Sequence, residues 1–275
     1  MKLALIQMSS SSNKNENLAH AEKLVCAAAA SGADMVVLPE MFCCEYRNDA
    51  FIENSECAGG PAWQMLAHTA AQLSIWLIGG SIPETAGERI YNTSFVFDRS
   101  GRQVAFHRKM HLFDIDVQGG QRFCESDTFS AGDSVTIFDS EFGKMGLCIC
   151  FDIRFPELSR LMALEGAQVL FCPASFNMTT GPAHWDLLFR ARAVENQVFT
   201  AGCASARDVH GSYISYGNSI IVSPWGEVLA RAGAEETILY ANLNLKLIDK
   251  VRAEMPLLSA RRTEIYHIDK KTSRS

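Results

Sequence analysis

The chain has 275 residues, 48% of them hydrophobic and 20% charged, and a formal net charge of −6. That ordinary globular composition allows one large α/β domain or two smaller ones. It argues against a nucleic-acid surface, because the only basic cluster, Lys270, Lys271 and Arg274, reads as a solvated terminus, and against a membrane span, because no apolar run approaches ~20 residues.

The opening "MKLALIQMSSSS" is too short in its apolar part for a secretory leader and reads as a first strand over 2–8. Residues 17–30 carry Leu18, Ala21, Leu24, Val25 and Ala28 at helical spacing. "DMVVLPE" (34–40) is a buried strand, 62–73 a helix and "IWLIGGSI" (75–82) another strand. Residues 90–107 form two strands joined at Asp98–Gly101, a hairpin. Residues 108–134 lack periodicity, and a polar stretch of that length in a compact protein points to function. A strand over 144–150, a helix over 156–165 and a strand over 167–174 follow. Next come the loop "SFNMTTGPAH", a helix from 184 to about 196 and a strand over 197–205. A second hairpin spans 218–231 with its turn at Pro224–Glu227; a strand over 236–243 and a helix over 245–254 complete the pattern. Strands alternating with helices, plus two hairpins, imply mixed sheets with helices outside. No long linker or solenoid repeat interrupts the chain, so a single domain over 1–275 is the simplest organisation.

Nine cysteines are present, and Cys26, Cys148, Cys172 and Cys203 sit in apolar surroundings. Reduced, packed thiols in a cytoplasmic protein account for most of them. No Cys/His spacing matches a zinc site. Two strand ends stand out: "VVLPE" stops at Glu40 and "GLCIC" stops at Cys150. Each places an ionisable group where an apolar strand meets a loop, and ligands of open α/β sheets bind beyond such carboxyl ends. A nucleophilic cysteine needs a base, since its ordinary pKa is about 8.5. His107, His111 and His184 are available for that role, and so is a buried glutamate with a raised pKa. An acyl-transfer site also needs oxyanion donors, for which Lys109 and a backbone N–H after the nucleophile are candidates. The residues thus assemble a thiol hydrolase without choosing its members.

"LPEMF", "HRKMHLFDID" and "GLCICFDIRFPEL" together resemble the carbon–nitrogen hydrolase (nitrilase) superfamily, over about residues 2–268. The resemblance implies that Glu40, Lys109 and Cys150 are the catalytic trio and that Glu125, in "RFCESDTF", is a second glutamate beside it. It implies an α/β fold, an αββα four-layer sandwich of the nitrilase type, that forms a homodimer or higher homo-oligomer. "LIGGSIPE", "HLFDIDV", "FNMTTGPAHW" and "SPWGEVLA" are similar to the omega-amidase branch. That branch hydrolyses terminal amides of short α-keto dicarboxylic monoamides such as α-ketoglutaramate and α-ketosuccinamate, through a cysteine thioester and without cofactor or metal. One departure is Phe151, where the branch often has Tyr; its backbone N–H, the useful group, is retained. Arg154 is placed to hold the substrate carboxylate, against the competing reading of a structural ion pair with Asp152, Glu157 or Glu195. Phe176 and Thr180 resemble the family's substrate loop, and Tyr46 closes the opposite side. The expected partner is a small-molecule amide, with neither nucleic acid nor membrane involved. The competing readings are an amidase for deaminated glutathione, another small amide or an N-carbamoyl compound, a nitrile hydrolase, and a non-catalytic thiol protein in which Cys148 and Cys150 sense redox state.

Overall fold

The computed structural model describes residues 1–211 and 213–270. Lys271 and Arg274, two of the three basic tail residues, lie outside the described residues. Six strands come first: β1 (Lys2–Gln7), β2 (Met35–Val37), β3 (Trp76–Ile78), β4 (Ile82–Ala86), β5 (Arg89–Phe97) and β6 (Gln103–Arg108). The small hairpin β7 (Asp114–Asp116) and β8 (Arg122–Cys124) follows. Then come β9 (Thr136–Ser140), β10 (Gly143–Leu147), β11 (Val169–Ala174), β12 (Phe199–Ala204), β13 (Ile220–Val222) and β14 (Val228–Arg231), before β15 (Thr237–Asn242). The helices are α1 (Lys14–Ala30), α2 (Asn48–Glu53), α3 (Pro61–Leu73), α4 (Pro156–Leu164), α5 (Gly181–Asn196) and α6 (Lys246–Glu254).

Two sheets result. The first runs β15-β1-β2-β3-β5-β4, with β6 also paired to β5; the second runs β14-β13-β12-β11-β10-β9. Each has a parallel centre, β1-β2-β3 in one and β10-β11-β12 in the other, flanked by antiparallel strands. Successive side chains of a strand face opposite ways. In β1, Leu3 and Leu5 join a core that also holds Met145, Leu147, Val169 and Phe171 of the second sheet. Ala4 and Ile6 instead pack with Leu18, Ala21 and Val25 of α1 and Leu66 and Ala70 of α3. The second sheet repeats this plan: Leu170, Cys172 and Ala174 turn outward onto Leu158 and Met162 of α4 and Trp185 and Phe189 of α5. Three cores between four layers make the expected αββα sandwich. They also explain why these strands are apolar on both faces.

Several boundaries differ from the sequence reading. The strand expected over 34–40 ends at Val37, and that expected over 144–150 ends at Leu147, so Glu40 and Cys150 each stand three residues beyond a strand. The expected 75–82 strand is two, β3 and β4, because Gly79 and the left-handed Gly80 (φ +56) turn the chain between them. Helix α5 starts at Gly181 rather than 184, with Pro182 pre-set for a first turn. Strand β9, helix α2 and the β7–β8 hairpin carry no alternation strong enough to read. Cys26 is only half-buried, since it borders the solvent side of α1.

Gly80, in the β3–β4 turn, packs against the Leu38–Pro39 backbone that leads to Glu40. A Cβ there would stand 2.1 Å from the Pro39 carbonyl oxygen and 2.9 Å from the Leu38 carbonyl carbon. Backbone cannot yield as a flexible side chain can, and the positive φ adds strain. Gly80→Ala is expected to cost about 2–5 kcal/mol, measured by denaturant unfolding, and to lower activity through displacement of Pro39 and Glu40.

Candidate active site

The site forms where the carboxyl ends of the two parallel sheet centres meet. After β2, Leu38 and Pro39 lead to Glu40, which is 1% exposed. Lys109 follows β6 directly, and its backbone N–H donates to the Asn92 carbonyl of β5 at 2.8 Å. Glu125 opens a 3-10 turn, Glu125–Asp127, after β8. Cys150 opens another, Cys150–Arg154, after β10. Lys109 and Glu125 are fully buried and Cys150 is 3% exposed.

The Lys109 ammonium donates to Glu40 Oε1 at 2.9 Å and to Glu125 Oε1 at 2.8 Å. Two carboxylates therefore share one cation in a site closed to water. Tyr46 donates its hydroxyl to Glu125 Oε1 at 2.6 Å and lies 3.3 Å from Glu40 Oε1. Glu125 Oε2 accepts the Phe113 backbone N–H at 2.7 Å. Asn92 Nδ2 donates to Glu40 Oε1 at 2.9 Å. Glu40 is thus held entirely through one oxygen; Oε2 is buried and has no hydrogen-bond partner among the described residues. Burial raises the Glu40 pKa, and the nearby Glu125 charge adds to this, against the opposing pull of Lys109. Burial alone would lower the Lys109 pKa, but Glu125 and Glu40 reverse that and hold the ammonium charged. The Cys150 thiol is pushed well up by burial and then by Glu40, while Lys109 and the Ser175 backbone N–H favour its thiolate. At rest it is a thiol beside a carboxylate that takes up protons more readily than usual.

Cys150 adopts φ +45, a left-handed conformation that costs a non-glycine residue about 1–2 kcal/mol. Cys148 is buried in the core against α4 and α5, and its Sγ lies 3.6 Å from the Phe171 carbonyl. The histidines are engaged elsewhere: His107 and His111 with Asp152, His184 with Arg154. None hydrogen-bonds Cys150, so a Cys–His pair does not form among the described residues.

Arg154 makes no ion pair among the described residues. Of the three carboxylates that could have held it, Asp152 binds the two histidines and Glu195 pairs with Arg192 at 3.0 Å. Glu157 has no bridge to it. Its guanidinium lies 4.5 Å from the Phe176 ring centre and 5.5 Å from that of Phe151, and Nη1 reaches His184 Nδ1 at 2.9 Å. Burial and then the adjacent Arg154 charge lower the His184 pKa, which keeps Nδ1 able to accept. Phe176 is buried edge-on against Trp185. The Thr180 hydroxyl is held by Asn177 Oδ1 at 3.0 Å, so Thr180 serves the start of α5 and does not join the Glu40 cluster. A small cavity above the cluster is lined by Glu40, Tyr46, Ser175, Ser205 and Tyr213, among others.

Sequence reasoning missed Asn92, Ser175 and Tyr213. Asn92 was signalled by the run Asn92–Thr93–Ser94, three fully buried polar residues inside an apolar strand. Ser175 acts through its main chain, and Tyr213 reaches Tyr46 (ring centres 4.4 Å apart) from a distant loop, so neither had a local signal.

A cysteine at a left-handed turn beside a buried Glu–Lys–Glu cluster, at the seam of an αββα sandwich, defines a thiol hydrolase. The comparisons agree. The carbon–nitrogen hydrolase family model matches residues 2–253. The omega-amidase NIT2 of Bos taurus is 47% identical, over 99% of each chain. The crystal structure of Saccharomyces cerevisiae Nit3, a member of branch 10 of the nitrilase superfamily, is 40% identical with TM-score 0.88, over 95% of this chain and 96% of that one. A glutamate-to-glutamine mutant of the amidase from Nesterenkonia sp. AN1, with acrylamide added to its active-site cysteine, is 25% identical with TM-score 0.75, over 93% and 98%. The chain belongs to the carbon–nitrogen hydrolase family and is an enzyme of the nitrilase superfamily, on its omega-amidase branch.

Asn92 supplies a testable consequence. Its amide favours the charged form of Glu40, so Asn92→Ala raises the Glu40 pKa further. The acid limb of the kcat/KM profile for amide hydrolysis should move to higher pH by up to about one unit, or ~1.4 kcal/mol. An unmoved limb removes Asn92 from the support of the base.

Proposed function

We propose that this enzyme hydrolyses the terminal carboxamide of a small α-keto dicarboxylic monoamide, such as α-ketoglutaramate or α-ketosuccinamate, to the acid and ammonia. The observation that carries the substrate class is Arg154. It is a part-buried guanidinium with no carboxylate partner among the described residues, packed on Phe176 and adjacent to the nucleophile turn. Its planar fork suits a carboxylate, and a substrate acid supplies the missing anion.

Glu40 takes the Cys150 proton on the unpartnered Oε2, and the thiolate attacks the amide carbon. Lys109 and the Phe151 N–H stabilise the oxyanion of the tetrahedral adduct. Protonated Glu40 gives its proton to the leaving nitrogen, the C–N bond breaks and ammonia departs, leaving a thioester on Cys150. Glu40 then takes a proton from water as the hydroxyl adds to the thioester. The C–S bond breaks, the acid leaves, and the proton returns to Cys150. Glu125 holds Lys109 from the side opposite Glu40, so the ammonium stays charged and aimed. In this reading one hydrolase domain spans 1–275. The exposed apolar side chains Leu187, Val194 and Trp225 support a homo-oligomer. Nine unpaired cysteines support a cytoplasmic setting. No helix of the described residues is long and apolar enough to cross a membrane.

Ammonia release from α-ketoglutaramate, α-ketosuccinamate, deaminated glutathione, glutamine and a simple nitrile tests the reading, and a preference for deaminated glutathione or the nitrile overturns it. Cys150→Ala should abolish turnover with an unchanged fold by circular dichroism, whereas Cys148→Ala should keep most activity; the reverse pattern reassigns the nucleophile. Arg154→Met should lose a charge-assisted bond of about 1.5–3 kcal/mol, roughly 10–150-fold in kcat/KM. That loss should fall on α-ketoglutaramate and spare an uncharged short amide. Equal losses on both would mean that Arg154 is structural.

A further inference from the structure

Asp152 is a fully buried carboxylate that the hydrolytic steps do not use. It accepts four hydrogen bonds. Oδ2 takes His107 Nε2 at 2.9 Å and the Ile149 backbone N–H at 3.0 Å. Oδ1 takes the His111 backbone N–H at 2.9 Å and His111 Nδ1 at 2.7 Å. The hydrogen bonds from His107 and His111 outweigh the cost of burial and hold its pKa far below the usual carboxylate range.

The donors come from two stretches only. His107 and His111 stand two residues before and two residues after Lys109. Ile149 immediately precedes Cys150. One carboxylate therefore ties the segment that carries the ammonium to the turn that carries the thiol, and those segments belong to different sheets. The turn needs such a tie. A non-glycine residue at φ +45 persists only where its surroundings hold it. Asp152 fixes the entry to the turn through Ile149. Arg192 fixes its exit, with Nε donating to the Ile153 carbonyl and Nη2 to the Arg154 carbonyl, each at 2.8 Å. His107 is itself braced by Thr136 of β9 at 2.9 Å, and His111 is stacked on Phe155 with ring centres 3.6 Å apart. A buried, hydrogen-bonded carboxylate contributes little net stability compared with apolar packing of the same volume. A fully satisfied one gives a defined geometry, and here that geometry runs between Lys109 and Cys150.

We propose that Asp152 is a positioning residue for hydrolysis: it sets the Lys109 ammonium and the Cys150 sulfur relative to each other through His107, His111 and the Ile149 N–H. The proposal rests on the reading of Cys150 as nucleophile and Lys109 as oxyanion donor. Its effect is on the transition state, where both groups act on one carbon centre, and little on substrate binding, which lies with Arg154.

The test uses the full-length enzyme with Asp152→Asn, which keeps the shape but turns one acceptor oxygen into a donor, and with His107→Asn, which removes a single strut. Each variant is measured for kcat and KM on α-ketoglutaramate, for the rate of Cys150 alkylation by acrylamide with the site mapped by mass spectrometry, and for thermal unfolding. Asp152→Asn is expected to lower kcat at least tenfold with KM within about threefold, and to change the Cys150 alkylation rate severalfold, in protein folded at the assay temperature. His107→Asn should give the same pattern at smaller size. Normal kcat and alkylation in folded variants overturn the proposal. So does a loss in both variants that only follows the unfolded fraction, which would make Asp152 a stability element. If Asp152→Asn does not fold, His107→Asn decides alone. If the unmodified enzyme releases no ammonia from any amide, the hydrolytic reading fails, while the alkylation rates still report whether Asp152 sets the thiol.

Discussion

Lys109 brings a positive charge to a fully buried position, and most of the site is arranged around that fact. A buried ammonium is tolerable only with close, well-aligned anions. Glu40 and Glu125 supply them, from a turn after β2 and a turn after β8. Two carboxylates on one cation leave an excess negative charge, which burial makes costly. Burial, with the Glu125 charge adding to it, raises the Glu40 pKa and gives a carboxylate the character of a base. The lysine is held charged for the same reason that the glutamate is kept proton-hungry.

The sandwich brings these groups together from distant parts of the chain. Parallel strands all end at the same side, so whatever follows β2 and β10 arrives at one seam once the two sheets pack face to face. The two halves are built alike, each with a parallel centre, an outer pair of helices and an ionisable residue three positions past a central strand. One half ends in Glu40 and the other in Cys150. The antiparallel extension β5–β6 adds Lys109, with Asn92 one strand away contributing its carbonyl to the Lys109 backbone and its amide to Glu40.

Around this centre, polar groups divide by partner. Asp152 gathers His107 and His111, which takes them out of competition for the thiol. Arg192 is taken up by main-chain carbonyls of the turn that begins at Cys150. Arg154 is left with rings and a neutral histidine. A guanidinium in such company is poorly compensated within the protein, so an anionic ligand gains more from it than from a surface arginine already paired in water.

The sequence by itself located most of the elements, and the αββα layering followed from the family resemblance. Apolar runs bounded by turn residues located most strands, and helical patterns located α1, α3, α4, α5 and α6, because burial on a sheet or helix face acts on every turn of the element and leaves a period. It also marked Glu40 and Cys150, since an ionisable residue at the end of an apolar run is conspicuous, while Lys109 stood as one candidate oxyanion donor and family resemblance chose among the possible partners. Tertiary structure alone decided the rest. That among the described residues Glu40 keeps one oxygen free and Arg154 has no carboxylate, that Tyr46 bridges to Glu125 and that His107 and His111 belong to Asp152 all depend on contacts between residues far apart in the chain. Such contacts impose no periodicity on the sequence. Ser175 was invisible for a further reason: its contribution is a backbone N–H, which every residue except proline carries, and only the path of the chain aims it at the sulfur.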